Sequence, residues 1–126
     1  MKEISTDKAP LAQGPYSQGV LCGNTLYVSG QLPIDPINGE MITGDIKSQA
    51  RQTLKNIISI VEEVTDKNNI VRTTVYMKNI KDFSLVNEVY SEFFTDFKPS
   101  RVCVGVAELP KNAELEIEAI AVKELF

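Results

Sequence analysis

Arg101-Val102-Cys103-Val104-Gly105-Val106 and Leu115-Glu116-Ile117-Glu118-Ala119-Ile120-Ala121-Val122 decide how this chain is read. Both runs alternate as a strand requires, because successive side chains of an extended chain point to opposite faces. In the second run Leu115, Ile117, Ala119 and Ala121 make an apolar face, and Glu116 and Glu118 share the other with Ile120 and Val122. In the first run Val102, Val104 and Val106 share one face, and Arg101, Cys103 and Gly105 the other. A face that is cationic in one strand and anionic in the next is a poor core and a poor solvent face. It reads as the wall of a polar pocket. The stretch between the runs, Leu109-Pro110-Lys111-Asn112, reads as the turn of a hairpin.

Upstream of the hairpin the hydrophobic period changes from two to three and four. Asp45 is a good N-cap, and Ile46, Ala50, Leu54, Ile57, Val61 and Val64 follow as one apolar stripe broadened by Ile58 and Ile60. The polar group Thr65-Asp66-Lys67-Asn68-Asn69 ends this helix. Ile70 to Met77 is rich in β-branched residues and predicts a strand. Asp82 can cap a second helix, with Phe83, Val86, Tyr90, Phe93 and Phe97 on one stripe and Lys98-Pro99 as its stop. Near the start, Tyr16 to Cys22 and Thr25 to Ser29 read as strands around a Gly23-Asn24 turn. The segment from Gly30 to Gly44 is a long loop, and loops of that length in compact domains are often functional.

The expected order is strand, strand, helix, strand, helix, strand, strand, an α+β chain with one mixed sheet and both helices on one face. The other sheet face would carry Arg72, Thr74 and Tyr76 together with Arg101, Cys103, Glu116, Glu118, Ile120 and Val122. That face is too apolar to stay bare, and a partner subunit in closed cyclic symmetry is the simplest cover.

Composition narrows the chemistry. The chain has 126 residues, enough for one domain, with a hydrophobic fraction of 43%. Its net charge is −4 and its cations are scattered, so nucleic acid is not an expected partner. The first eight residues hold no apolar core of a signal peptide, and no apolar run approaches a membrane span. The expected compartment is cytoplasmic, where Cys22 and Cys103 stay reduced. There is no histidine, which excludes Ser-His and Cys-His nucleophilic systems and most zinc sites, and two isolated cysteines have no zinc spacing. Acid–base work falls to carboxylates, tyrosine, lysine or bound water.

An ordered set of motifs runs almost from end to end. It comprises Gly14-Pro15-Tyr16-Ser17-Gln18, Ser29-Gly30-Gln31-Leu32-Pro33, Gly44-Asp45-Ile46 and Thr73-Thr74-Val75-Tyr76. Val86-Asn87-Glu88-Val89-Tyr90, Lys98-Pro99-Ser100-Arg101-Val102-Cys103-Val104, Leu109-Pro110 and Glu116-Ile117-Glu118-Ala119-Ile120-Ala121 complete it. In these the chain resembles the reactive-intermediate deaminase family (Rid, or YjgF) in its RidA branch, as a single domain over residues 1–126. The resemblance implies a chorismate-mutase-like fold packed into a homotrimer through the open sheet face, with sites in the clefts between subunits. It implies hydrolysis of enamines and imines released by pyridoxal-phosphate enzymes, 2-iminobutanoate and 2-iminopropanoate above all, to 2-oxo acids and ammonia. No cofactor and no metal are implied.

By the same resemblance Arg101 holds the substrate carboxylate, and the backbones of Cys103 and Gly30 contact ligand. Glu116 orients the attacking water, and Tyr16 and Ser29 line the pocket. Asn87 matches a motif position. Val102, Gly105 and Gly19 depart from the serine, glutamate and alanine common there, which leaves substrate range open. From the residues alone Arg101 is either a carboxylate clamp or a structural partner of Glu116 or Glu118. Glu116 is either a base or a neutraliser of Arg101, and burial and a nearby arginine pull its pKa in opposite directions. Glu118 reads as structural, paired with Arg72 across the sheet. Cys103 lacks an activating base and reads as packing. Three competing functions stand beside the deaminase: a non-catalytic sensor of 2-oxo acids, an endoribonuclease or translation inhibitor, and a chaperone-like trimer.

Overall fold

Eight main elements are seen in the computed structural model, which describes residues 1–123. They are β1 (Lys2–Ile4), β2 (Gly19–Cys22), β3 (Thr25–Gln31), α1 (Ile46–Val61), β4 (Ile70–Met77), α2 (Phe83–Phe93), β5 (Ser100–Gly105) and β6 (Leu115–Val122). The strands form one sheet in the order β1-β2-β3-β6-β4-β5. Only the β4–β5 pair is parallel, with α2 as its crossover; the other neighbours are antiparallel. β6 lies between β3 and β4, so those two strands run in the same direction and α1 connects them across the inserted strand. The expected α+β architecture with a mixed sheet and two helices is what the chain adopts.

The helices form where the apolar stripes place them. The Asp45 carboxylate accepts from the Ser48 N–H at 2.8 Å, capping α1. Leu54, Ile57, Val61, Val86 and Val89 from the helices pack on Leu26, Val28, Val75, Ile117, Ala119 and Ala121 of the sheet, all buried. On the solvent side Arg51 reaches Glu92 through two hydrogen bonds of 2.9 and 3.0 Å, and Lys47 approaches Glu88 at 3.8 Å. α2 ends at Phe93, earlier than its aromatic stripe suggests. Phe94 leaves the helix but stays buried, while Phe97 lies beyond it and is exposed. The Lys67 ammonium donates to the Phe93 carbonyl at 2.8 Å, closing that end. The three-residue edge strand β1 is too short for its alternation to be seen in the sequence.

Two expectations about the C-terminal strands need correction. β5 and β6 are not a hairpin: β5 pairs only with β4, on the outer edge, and β6 crosses to the centre of the sheet. The parallel register sets Arg101 beside Thr73 and Cys103 beside Val75, residues of the buried helix-side face. Arg101 and Cys103 therefore lie on the helix side, and Val102 and Val104 join Arg72, Thr74, Tyr76, Glu116 and Glu118 on the open face. Alternation fixes parity within a strand, but only the pairing fixes parity between strands.

Candidate active site

Glu116 stands opposite Tyr76 on β6, facing the open side of the sheet. Next to it, β3 breaks register between Val28 and Gln31, and Ser29 and Gly30 occupy the irregularity. The absence of a side chain at Gly30 admits the glutamate: a Cβ there would lie 2.5 Å from Glu116 Oε2. Glu116, Ser29, Gly30, Tyr16, Leu11 and Lys111 help line a cavity of about 440 Å³. Ser29 is spent structurally, its hydroxyl donating to the Ser17 carbonyl at 2.6 Å. Tyr16 lies half in solvent at the rim, where its hydroxyl accepts from the Gln13 N–H at 3.3 Å.

No side-chain hydrogen bond or ion pair engages the Glu116 carboxyl among the described residues. Burial first, and then the charge of Glu118, pushes its pKa above the ordinary carboxylate value of 4.5. The lowering influence expected from Arg101 is missing because that guanidinium is on the other face. Glu118 takes the Tyr76 hydroxyl instead of pairing with Arg72, and this bond raises the tyrosine pKa.

Arg101 occupies a different place. Its Cζ lies 5.2 Å from the centroid of Phe83 and 4.9 Å from that of Tyr90, both on α2. It lines a second cavity of about 470 Å³ with Asn87, Ser91, Lys98 and Phe94. Among the described residues it forms no ion pair, so neither Glu116 nor Glu118 is its structural partner within the chain. Cys103 packs inward, its thiol 3.6 Å from Met77 Sδ, and burial raises its pKa. A nucleophilic thiolate is the wrong description of such a group. Its backbone is better placed. The Val106 N–H donates to the Met77 carbonyl. By the two-residue alternation, Val102 and Val104 turn their amides to β4, while the N–H of Cys103 points outward from the free edge of the sheet.

Thr73 pairs with Arg101 on one side and Ala119 on the other. Two strand spacings and three residues along β6 thus separate Arg101 from Glu116, roughly 14 Å between Cα atoms, with side chains on opposite faces. The chain brings Tyr16, Ser29, Gly30 and Glu116 together and sets Arg101 and the Cys103 amide apart from them.

Two structural residues at the site went unrecognised in the sequence. Gln18 is buried, accepts from the Thr6 N–H at 2.7 Å and donates to the Pro10 carbonyl at 2.7 Å, fastening the segment that walls the Glu116 cavity. Asn56, wholly buried, donates to the carbonyls of Leu32 at 3.1 Å and Ile34 at 2.9 Å and fixes the long loop. Asn56 lies on the flank of the α1 stripe, one turn before Ile60, a position where a polar residue gives no signal of burial in the sequence. Lys111, at the cavity mouth, has φ 55°, a left-handed backbone uncommon outside glycine. Among the described residues no cluster of three or more His, Cys, Asp or Glu is placed to hold a metal, and no helix is long and apolar enough to cross a membrane.

Comparison with known proteins adds four findings. The model of the family described as endoribonuclease L-PSP matches residues 6–123. The 2-iminobutanoate/2-iminopropanoate deaminase of Escherichia coli K12 is 49% identical over 126 residues, covering 97% of this chain and 98% of that protein. The human protein of the same name is 46% identical over 121 residues, covering 95% and 88%. Among solved structures, E. coli TdcF with bound serine superposes with a TM-score of 0.94 at 44% identity, covering 98% of this chain and 100% of that one.

Proposed function

This chain belongs to the endoribonuclease L-PSP family, also called the YjgF or reactive-intermediate deaminase family, and from that membership we propose that it hydrolyses small 2-imino acids. The substrates are 2-iminobutanoate and 2-iminopropanoate, and the products are 2-oxo acids and ammonia. The carrying observation is Arg101: a half-buried guanidinium lying over two rings, with no ion pair among the described residues. A planar guanidinium with free in-plane N–H groups suits a carboxylate through two parallel hydrogen bonds. The serine in TdcF is a ligand of this kind, a small molecule with a carboxylate next to a nitrogen-bearing carbon.

The reaction needs water to add to the C=N carbon. In our reading Glu116 holds that water and takes its proton as the C–O bond forms. That proton passes to nitrogen to give the carbinolamine; the new hydroxyl then gives up its own proton, carried to nitrogen by Glu116, and the C–N bond breaks as the carbonyl closes and ammonia leaves. The Cys103 N–H and the Gly30 backbone face the substrate, with Tyr16 over it and Ser29 bracing the wall. The raised pKa of Glu116 suits a base better than an ordinary carboxylate would.

Arg101 and Glu116 lie on opposite faces of one protomer, so the complete site takes Arg101 from one copy and Glu116 from the next. We place it at the seams of a homotrimer. Tyr27, Val102 and Val104, which stand exposed on the open sheet face, would be covered there. Such a trimer would work in the cytoplasm. The ribonuclease named in the family description finds little support in a chain with 17 acidic against 13 basic residues and no histidine.

The test generates 2-iminobutanoate with a threonine dehydratase and traps it with semicarbazide. Added protein should reduce the trapped imine, and Arg101→Ala should abolish that effect while the native mass remains trimeric. Mixed trimers refolded from Arg101→Ala and Glu116→Gln chains should regain activity, since some seams are then intact. A monomer, or an Arg101→Ala protein with full activity, defeats the reading.

A further inference from the structure

Arginine has a long, mobile side chain, and ordering it on binding costs entropy. A clamp that works must hold the guanidinium without consuming the N–H groups the ligand needs. Carboxylate partners would fix it but occupy those donors. Aromatic faces fix it from above and below the plane and leave the edge free.

α2 supplies such faces two turns apart. Phe83 and Tyr90 both lie within cation–π distance of the Arg101 guanidinium, at 5.2 and 4.9 Å. Tyr90 is itself held: its hydroxyl donates to Thr73 Oγ1 at 2.8 Å, and its ring meets Phe94 at 5.3 Å between centroids. Thr73 is the cross-strand neighbour of Arg101. One short path thus runs from β4 through the tyrosine ring to the guanidinium on β5. Burial pushes the Tyr90 pKa up to about 12, so its hydroxyl remains a neutral donor to Thr73 across the working pH range.

We propose that Phe83 and Tyr90 are positioning residues for substrate binding, holding the Arg101 guanidinium by its faces so that its N–H edge meets the substrate carboxylate preorganised. This rests on the reading of Arg101 as the carboxylate group. Phe83 is the better probe, being 39% exposed where Tyr90 is in the core.

Phe83→Leu keeps the bulk and removes the ring. KM for 2-iminobutanoate should rise about three- to tenfold, the range expected for one lost cation–π contact, with kcat changed less than twofold. The dissociation constant for 2-oxobutanoate, measured by calorimetry, should rise by the same factor. Phe83→Tyr, which restores a ring face, should recover both. Tyr90→Phe keeps its ring and loses only the tie to Thr73, so its effect should be smaller than that of Phe83→Leu. Wild-type KM and oxo-acid affinity in Phe83→Leu overturn the inference, as does a Phe83→Tyr protein that fails as Phe83→Leu does. If Arg101→Ala binds 2-oxobutanoate normally, the underlying reading of Arg101 falls instead, so the two failures are distinct.

Discussion

Gly30→Ala gives the most direct access to the site, because the three atoms nearest the added Cβ all belong to Glu116. The new Cβ would lie 2.5 Å from Glu116 Oε2, 2.9 Å from its Cδ and 3.2 Å from its Cγ. Ordinary contact begins at 3.4 Å, so the carboxylate must retreat by about 0.9 Å (3.4 − 2.5). The Gly30 φ is not in the left-handed region, so alanine adds no backbone strain. The glutamate end is flexible, and the protein should melt within a few degrees of wild type. Catalysis should suffer far more: misplacing a catalytic group by ~1 Å can cost on the order of 100-fold in rate. The assay is kcat for 2-iminobutanoate in wild type, Gly30→Ala, Glu116→Gln and the double variant. In the Glu116→Gln background the alanine should cost little further, since the group it displaces has already lost its function. An unchanged kcat in Gly30→Ala with intact folding would refute the placement of Glu116 in the reaction. Full additivity in the double variant would do the same, leaving the methyl group as an obstacle to substrate alone.

Three other outcomes are expected. The acidic limb of the kcat profile should lie above the ordinary carboxylate value of 4.5, because Glu116 must be ionised to take a proton and burial and Glu118 both raise its pKa. Glu118→Gln removes the second of these causes and should move that limb to lower pH; a limb that stays put would show that Glu118 does not act on Glu116. Asn56→Leu should destabilise the fold by about 2–3 kcal/mol in urea denaturation, because it leaves the Leu32 and Ile34 carbonyls without their buried donor. A loss below about 0.5 kcal/mol would mean that the loop finds other partners or water.

Much of the fold was legible along the chain. The α1 stripe from Ile46 to Val61 and its Asp45 cap are local features, and the structure shows both. The Gly23-Asn24 turn joins β2 to β3 as its composition suggests, with Gly23 at φ 61°. Phe97 misled the reading of α2, because an aromatic residue at helical spacing need not be on the helix. The cavity around Glu116, with Tyr16, Ser29 and Gly30, gathers residues singled out in the sequence, although a one-residue irregularity in β3 is what admits the glutamate.

By itself the sequence determined which residues share a face within each strand, which helices are amphipathic, and that any acid–base chemistry must proceed without histidine. Only the tertiary structure decided that β6 enters the middle of the sheet and β5 leaves for its edge. Arg101 and Cys103 thereby exchange faces with Val102 and Val104, and the guanidinium comes to lie on the rings of α2. The physical reason is that side-chain alternation is a local property of an extended chain. Relative parity between strands is set by hydrogen-bonded register with neighbours far away in sequence, and no spacing along the chain encodes that directly.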